Sequence, residues 1–159
     1  MMKKLIYPND EDLKKKLDHE IYFCNNYSHR CITPFYGFLK DDGKIIGFIY
    51  EFMSNGNLQD FVQSDINCKS YSLMTISRIA EGLEYLKSKS LIHRDLKPQN
   101  ILIDNNFLPY ISDFDTIKSI KDMDEISEMT DDYGSPFYIS PEQASMNSIS
   151  YPTDVYSFG

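Results

Sequence analysis

The chain has 159 residues, 42% of them hydrophobic, which is enough for a protein with a real apolar core. Its formal net charge of −8 argues against nucleic acid and anionic membranes as partners. No apolar run is long enough for a signal peptide or a membrane-spanning helix. The three cysteines, Cys24, Cys31 and Cys68, have neither an even number suited to disulfides nor paired metal spacing. These features predict a soluble, cytoplasmic protein with reduced thiols.

The first third of the chain is predicted to contain a helix and two strands. Acidic residues after Pro8 suit the positive end of a helix dipole, and apolar residues then recur at helical spacing to about Tyr27. These apolar residues are Leu13, Leu17, Ile21 and Cys24. Residues 32–39 and 45–52 have the pattern of strands, and an Asp-Asp-Gly sequence at 41–43 predicts the turn between them.

A polar break at residues 54–57 precedes a long predicted helix. Its apolar stripe ends near Ser88 and consists of Leu73, Ile76, Ile79, Ala80, Leu83 and Leu86. Short apolar runs at 91–92, 101–103 and 108–111 predict strands that flank a polar segment. The chemistry of the chain is therefore expected in and around that segment.

The polar segment, residues 93–100, has the sequence His-Arg-Asp-Leu-Lys-Pro-Gln-Asn, and an Asp-Phe pair follows at residues 113–114. Transfer of a phosphoryl group requires a residue that orients the attacking hydroxyl and oxygen ligands that hold magnesium. Carboxylate and amide oxygens are the hard ligands that this ion prefers. Eight consecutive residues of the right types, followed by the Asp-Phe pair, predict phosphoryl transfer from ATP.

On these residues the chain resembles a eukaryotic protein kinase domain of the serine/threonine type, with the tyrosine-kinase-like group as one placement within it. The resemblance implies an α+β, two-lobe kinase fold that uses ATP and Mg²⁺. It also implies a protein substrate with a serine or threonine hydroxyl. We expect the fold to be partial and cut at both ends. Residues 1–53 would form an incomplete upper lobe, and residues 54–159 would form a lower lobe that stops at its central helix.

The resemblance assigns the reaction to four residues of the polar segments. Asp95 would orient the substrate hydroxyl and accept its proton, and orientation contributes more than proton affinity because a carboxylate is a weak base. Lys97 would offset charge on the transferred phosphoryl group. Asn100 and Asp113 would hold magnesium, Asp113 between the nucleotide phosphates.

The resemblance also implies a set of nucleotide-binding residues. Lys3 would contact the phosphates and pair with Glu20 on the first helix, and Lys4 is the alternative to Lys3. Around the base, Tyr50 would take the gatekeeper place, backbone groups near Glu51 and Met53 would bind adenine, and Leu102 would form the apolar floor.

Asp115 departs from the family pattern, because the residue after the Asp-Phe pair is normally glycine. An additional carboxylate beside a magnesium ligand changes the local charge. The acidic segment that follows, residues 116–133, resembles an activation loop, and its charges are most simply a solvated face. A sharper hypothesis pairs Arg94 with a phosphorylated residue or a permanent charge there, the candidates being Ser127, Thr130, Tyr133 and Asp131.

Residues 134–142 resemble the substrate-docking segment of the family. In it Ser135 would contact Asp95 and Lys97, an arrangement associated with serine/threonine specificity. Further along, Asp154 would begin the central helix of the lower lobe and brace the backbone of the catalytic loop.

Two other functions compete with the kinase hypothesis. A catalytically silent, kinase-like binding module would explain Asp115 and the absence of a glycine-rich loop before Lys3. A small-molecule phosphotransferase shares the His-x-Asp core but gives no reason for the docking segment. The intact set of residues 93–100 and Asp113 favours the enzyme. The oligomeric state is left open.

Overall fold

The computed structural model describes residues 2–4, 11–64, 69–120, 137–145 and 150–159. Several sequence-based predictions fall outside these ranges. They concern the third cysteine, the candidate phosphosites and permanent charge of the activation loop, and the docking serine, namely Cys68, Ser127, Thr130, Asp131, Tyr133 and Ser135.

An antiparallel sheet and one helix form the first part of the described chain. Strand β1 (Met2–Lys4) and strand β2 (Phe35–Asp41) pair with opposite edges of β3 (Lys44–Tyr50). Helix α1 (Glu11–Asn26) lies between β1 and β2 in the chain. The predicted helix and turn are confirmed, and the helix ends one residue before the predicted end.

The prediction that the strand before the turn begins at Ile32 is wrong, because β2 begins at Phe35. Ile32 instead forms an isolated bridge with Ile111, and the Thr33 N–H donates to the Ile111 carbonyl at 2.9 Å. Pro34 follows, and because it lacks an N–H it cannot continue a ladder of backbone hydrogen bonds. The strand therefore starts only at Phe35, and the residues before the proline join the first part of the chain to the second.

The second part of the chain contains helices α2 (Leu58–Gln63) and α3 (Lys69–Ser88), followed by short strands. These strands are β4 (Leu91–Ile92), β5 (Ile101–Ile103), β6 (Pro109–Ile111) and β7 (Lys118–Ser119), with antiparallel pairing of β4 with β7 and of β5 with β6. A 3₁₀ turn, Pro98–Asn100, precedes β5. Helices α4 (Pro141–Ala144) and α5 (Tyr151–Phe158) follow.

The polar break predicted at 54–57 also starts a helix that the sequence analysis did not predict. The side-chain oxygen of Asn57 accepts a hydrogen bond from the Asp60 N–H at 3.0 Å and so caps the N-terminus of α2. The long helix that was predicted to end near Ser88 is confirmed and corresponds to α3.

The apolar core lies between α1, α3 and the short strands. Its buried members include Phe23, Ile79, Leu86, Ile101, Ile111, Phe114 and Ile117. Gly82 of α3 lies so close to β6 that a Cβ atom there would be 2.6 Å from Cδ1 of Ile111. This helix packs directly on the strand that leads to Asp113.

The α+β class is confirmed by this mixture of helices and small, largely separate sheets. The division into lobes at residue 53 stays a prediction. Within the described ranges, no helix is both long enough and apolar enough to cross a bilayer.

Candidate active site

The catalytic-loop residues lie together between β4 and β5. Lys97 Nζ lies 2.5 Å from Asp95 Oδ2, and Asn100 Nδ2 donates to the carbonyl of Asp95 at 2.8 Å and to its Oδ2 at 3.0 Å. Pro98 occupies the start of the 3₁₀ turn, where its fixed φ suits a helical turn and its missing N–H is not needed. The turn brings the amide of Asn100 back to Asp95, so an ammonium and an amide fix the position of this carboxylate.

A buried carboxylate holds the backbone of the same loop. Asp154 of α5 accepts hydrogen bonds from the N–H of His93 at 2.8 Å and of Arg94 at 2.9 Å. Arg94 has a φ of +70°, which is costly for a residue with a side chain and persists only where the surroundings enforce it. Burial raises the pKa of Asp154, and His93 and the two N–H donors oppose this change. The predicted contact between Asp154 and the backbone of the catalytic loop is confirmed.

Three further contacts at this loop were not predicted from the sequence. Thr116 Oγ1 donates to the His93 carbonyl at 2.8 Å, and Gln143 Nε2 donates to the Arg94 carbonyl at 2.9 Å. Arg94 Nε in turn donates to the Thr116 carbonyl at 2.6 Å. Burial lowers the pKa of Arg94, while Asp154 and Asp115 oppose this shift. The guanidinium thus ties the catalytic loop to the chain just after the Asp-Phe pair.

A second network of charges joins three distant elements. Lys3 Nζ on β1 lies 2.9 Å from Glu20 Oε2 and 3.1 Å from Glu20 Oε1 on α1. The same nitrogen lies 3.0 Å from Oδ1 of Asp113, which follows β6 and has a φ of +65°. The side chain of Lys4, the alternative to Lys3, lies outside the described part of the chain.

The pKa values of this network reflect a competition between burial and charge. Burial lowers the pKa of Lys3, but Glu20 and Asp113 together outweigh burial, and the pKa lies above its usual value. Burial raises the pKa of Glu20, and Lys3 and the Tyr50 hydroxyl partly offset that rise. The carboxylate therefore depends on its cation, since an unpaired charge at this depth would be costly.

A cavity of about 320 Å³ adjoins both networks. It is lined by Lys3, Glu20, Thr33, Tyr50, Gln99, Asn100, Leu102, Ser112, Asp113 and Phe114. The cavity brings together five of the predicted nucleotide and metal residues and the predicted gatekeeper. Asp95 and Lys97 are not among its lining residues, although Asn100 joins them to the cavity through its hydrogen bonds.

Glu51 and Met53 are likewise not among the residues that line this cavity. The Glu51 N–H donates to the Pro34 carbonyl at 2.9 Å, and the Met53 carbonyl accepts from the Gly56 N–H at 3.2 Å. These bonds fix the short connection between β3 and α2. Glu51 and Met53 are the two residues predicted to bind adenine, and one backbone group of each is therefore already hydrogen-bonded.

The donor atoms around the cavity fit a magnesium ion. Asn100 gives its amide nitrogen to Asp95, so its amide oxygen is the atom that could serve as a ligand. Asp113 adds a carboxylate on the wall of the same cavity, and a carboxylate with an amide oxygen suits a cation that keeps waters and phosphates as its other ligands.

A second group of residues that could act as metal ligands lies where the loop between α1 and β2 meets α3. The donor atoms of His29, Cys31 and Glu81 are within 4.8 Å of one another. However, the guanidinium of Arg30 contacts both oxygens of Glu81, with Nη2 at 2.6 Å from Oε2. The guanidinium therefore contacts both oxygens of the only carboxylate in this group, whereas the Lys3 ammonium contacts Oδ1 of Asp113. We interpret this group as a structural ion pair.

An oriented carboxylate beside a lysine, next to a cavity lined by Lys3, Glu20 and Asp113, is an arrangement that suits phosphoryl transfer. The model of the family described as protein kinase domain matches residues 1–159. The chain is 36% identical over 149 residues to Protein SUPPRESSOR OF NPR1-1 CONSTITUTIVE 4 of Arabidopsis thaliana, a match that covers 89% of this chain and 13% of that protein.

Two other relatives broaden the comparison. A probable LRR receptor-like serine/threonine-protein kinase of Arabidopsis thaliana is 38% identical over 126 residues, covering 75% of this chain and 14% of the relative. Tyrosine-protein kinase JAK1 of Danio rerio is 32% identical over 163 residues, covering 99% of this chain and 14% of the relative. The chain thus spans well under a quarter of the length of each of these three relatives.

The chain belongs to the protein kinase domain family. The predicted kinase-like fold and the predicted kinase catalytic domain are confirmed at the level of the family. The silent-module alternative is not favoured by these matches. Roles of individual residues stay predictions, which the geometry above allows us to sharpen.

Proposed function

We propose that this protein transfers the γ-phosphoryl group of ATP to a serine or threonine hydroxyl of a protein. The observation that carries the proposal is the position of Asp95, held at 2.5 Å by Lys97 and at 3.0 Å by Asn100. Asn100 also lines the cavity that contains Lys3 and Asp113. Asn100 therefore connects Asp95, which would orient the acceptor hydroxyl, to the cavity that would hold ATP.

Some residues of the site would orient the reacting groups, and others would balance charge. Asp95 would accept a hydrogen bond from the acceptor hydroxyl and then its proton, while Lys97 would offset charge on the moving phosphoryl group. Lys3 would bind phosphate oxygens, with Glu20 keeping its ammonium in place. Magnesium, when bound, neutralises phosphate charge, and Asn100 and Asp113 are the residues that would hold it.

The backbone hydrogen bonds support a narrower proposal for the adenine site. Since the Glu51 N–H and the Met53 carbonyl already take part in the connection between β3 and α2, the Glu51 carbonyl and the Met53 N–H are the groups left for adenine. Leu102 lies on the cavity wall, where it would form the apolar floor.

Serine/threonine specificity is supported by Lys97 and by one relative that is named a serine/threonine-protein kinase. Another relative is named a tyrosine kinase, so tyrosine phosphorylation is the outcome that would change this part of the proposal. We also propose a cytoplasmic location without nucleic acid or membrane partners. The net charge of −8 and the unpaired thiols of Cys24 and Cys31 support it.

The test is phosphate transfer from γ-labelled ATP to a mixed protein substrate, followed by phosphoamino-acid analysis. We expect transfer that is abolished by chelation of Mg²⁺ and lowered about 10²–10⁴-fold by Asp95→Ala. Asp60→Ala is the matched control, because Asp60 is an exposed carboxylate on α2. Absence of transfer in the wild type, or full transfer in Asp95→Ala, would refute the proposal and favour a silent module.

A further inference from the structure

A short chain of side-chain hydrogen bonds leads from Glu20 into the interior. The hydroxyl of Tyr50 donates to Glu20 Oε1 at 2.7 Å, and Sγ of Cys24 lies 3.2 Å from the same hydroxyl. Glu20 and Cys24 are four residues apart on α1, so both project from the same face of the helix. Tyr50 is the last residue of β3. The three side chains therefore join helix and sheet.

The direction of each bond follows from the protons available. Tyr50 has one hydroxyl proton, and the carboxylate of Glu20 can only accept it. The oxygen of Tyr50 must then accept the proton of the Cys24 thiol. Burial raises the pKa of Cys24 to about 12, so the thiol stays protonated and able to donate. The chain thus runs from Cys24 to Tyr50 to Glu20, with each donor used once.

This hydrogen-bond chain provides a donor to an oxygen of a buried side chain. Glu20 is only 2% exposed and also holds Lys3 through both carboxylate oxygens. Tyr50 is 6% exposed and lines the cavity. Loss of the hydroxyl would leave one carboxylate oxygen with the ammonium alone, and the carboxylate would be free to rotate. A rotated Glu20 would carry Lys3 away from Asp113.

We propose that Tyr50 is a positioning residue that, supported by the Cys24 thiol, fixes the orientation of Glu20 and thereby of Lys3. This inference rests on the proposed function for its kinetic consequence. Its structural part, the fixing of α1 against β3 by the hydroxyl, does not depend on activity. Tyr50 would therefore act on the reaction through Glu20, beyond forming one wall of the cavity.

The first test compares Tyr50→Phe with Tyr85→Phe in the full-length protein. Both variants lose only a hydroxyl, and that of Tyr85 accepts a hydrogen bond from the Ser28 N–H, away from the cavity. We expect Tyr50→Phe to lower kcat about 10-fold with less than a 3-fold change in KM for ATP, because a displaced Lys3 would still bind the phosphates but would no longer orient them for transfer. Tyr85→Phe should leave both constants unchanged. Equal kcat values in the two variants would overturn the proposal.

The second test replaces Cys24, the first donor of the hydrogen-bond chain. Cys24→Ser keeps a donor of similar size, whereas Cys24→Ala removes it. We expect Cys24→Ala to lower kcat about 3-fold and Cys24→Ser to restore most of that loss. In the Tyr50→Phe background the two Cys24 variants should behave alike, because the acceptor is gone. A difference between serine and alanine that persists without the tyrosine hydroxyl would contradict the proposal that Cys24 acts through Tyr50.

Hydrogen exchange separates this inference from the proposed function. Amide exchange in the second half of α1, residues 17–26, should be faster in Tyr50→Phe than in Tyr85→Phe, whether or not the protein phosphorylates a substrate. If the wild type transfers no phosphate, the proposed function fails and the exchange comparison still decides the structural role. Identical exchange of α1 in the two variants would overturn that role.

Discussion

Two glutamates, each paired with a basic side chain, show how burial changes the meaning of an ion pair. Glu20 pairs with Lys3 at 2.9 Å and is 2% exposed, whereas Glu81 pairs with Arg30 and has a side chain that is 33% exposed. Burial raises the pKa of Glu20 despite its cation. The hydrogen bond from Arg30 lowers the pKa of Glu81, with little burial to oppose it.

The difference in burial indicates that the pair of Glu20 and Lys3 has the larger desolvation cost. Removing a charge from water costs several kcal/mol, so a buried carboxylate is retained where it holds something in place. Exposed pairs contribute on the order of 0–1 kcal/mol and are screened by salt. We therefore expect substitutions at the buried carboxylates to have large effects and those at the exposed pair to have small ones.

The largest effect is predicted for Asp154, a buried carboxylate that accepts hydrogen bonds from two backbone N–H groups. Asp154→Ala leaves both donors without that acceptor, and each buried donor left unsatisfied costs about 1–3 kcal/mol. We expect the free energy of unfolding to fall by about 3 kcal/mol, measured by urea denaturation.

The matched control for Asp154 is its neighbour. Val155→Ala changes a side chain that is 60% exposed, and we expect a change within about 0.5 kcal/mol. The strained φ of Arg94 is expected to relax in Asp154→Ala, so phosphate transfer should fall as well. Similar stabilities of the two variants would show that the catalytic loop is held mainly by other contacts.

An intermediate effect is predicted for Gly82, which adjoins Glu81 in the chain but faces the core. Alanine in a helix is normally favoured over glycine by about 1 kcal/mol. Here the new Cβ would be 2.6 Å from Cδ1 of buried Ile111, and overpacking costs about 1–3 kcal/mol. We expect Gly82→Ala to lower the free energy of unfolding by about 1 kcal/mol.

An exposed helix position provides the comparison for Gly82. Glu84→Ala lies two residues further along α3 on the exposed side and should be nearly neutral. A stabilised Gly82→Ala variant would mean that Ile111 can shift at little cost and that helix propensity decides the result.

Whether the residues of a contact are close together or far apart in the sequence explains which parts of the site could be predicted. Residues 93–100 are contiguous, so their types and order were sufficient to predict the catalytic loop. Asp154 was predicted only through the resemblance to a family. Thr116 and Gln143 contact the loop from elsewhere in the chain, and no local pattern marks them.

The predicted start of a strand was wrong where tertiary pairing overrides the local sequence pattern. The apolar run from Ile32 looks like one strand, but Pro34 interrupts it and Ile32 pairs with Ile111 instead. The hydrogen bond between Tyr50 and Glu20 could not be predicted either, because it depends on how α1 packs against β3. The gatekeeper place of Tyr50 was predicted, but not what its hydroxyl contacts.

The smallest effect is predicted for the exposed pair of Arg30 and Glu81. Because the folded pKa of Glu81 is lowered, its stabilising contribution is present above the ordinary pKa of about 4.5 and is lost as the pH falls through the folded value. Arg30→Ala should therefore lower the thermal midpoint only slightly at neutral pH. That difference should vanish in acid and in molar salt, because protonation and screening remove the attraction. A loss as large as that in Asp154→Ala would end the distinction between buried and exposed pairs. Persistence in molar salt would show that Arg30 acts through packing instead of charge.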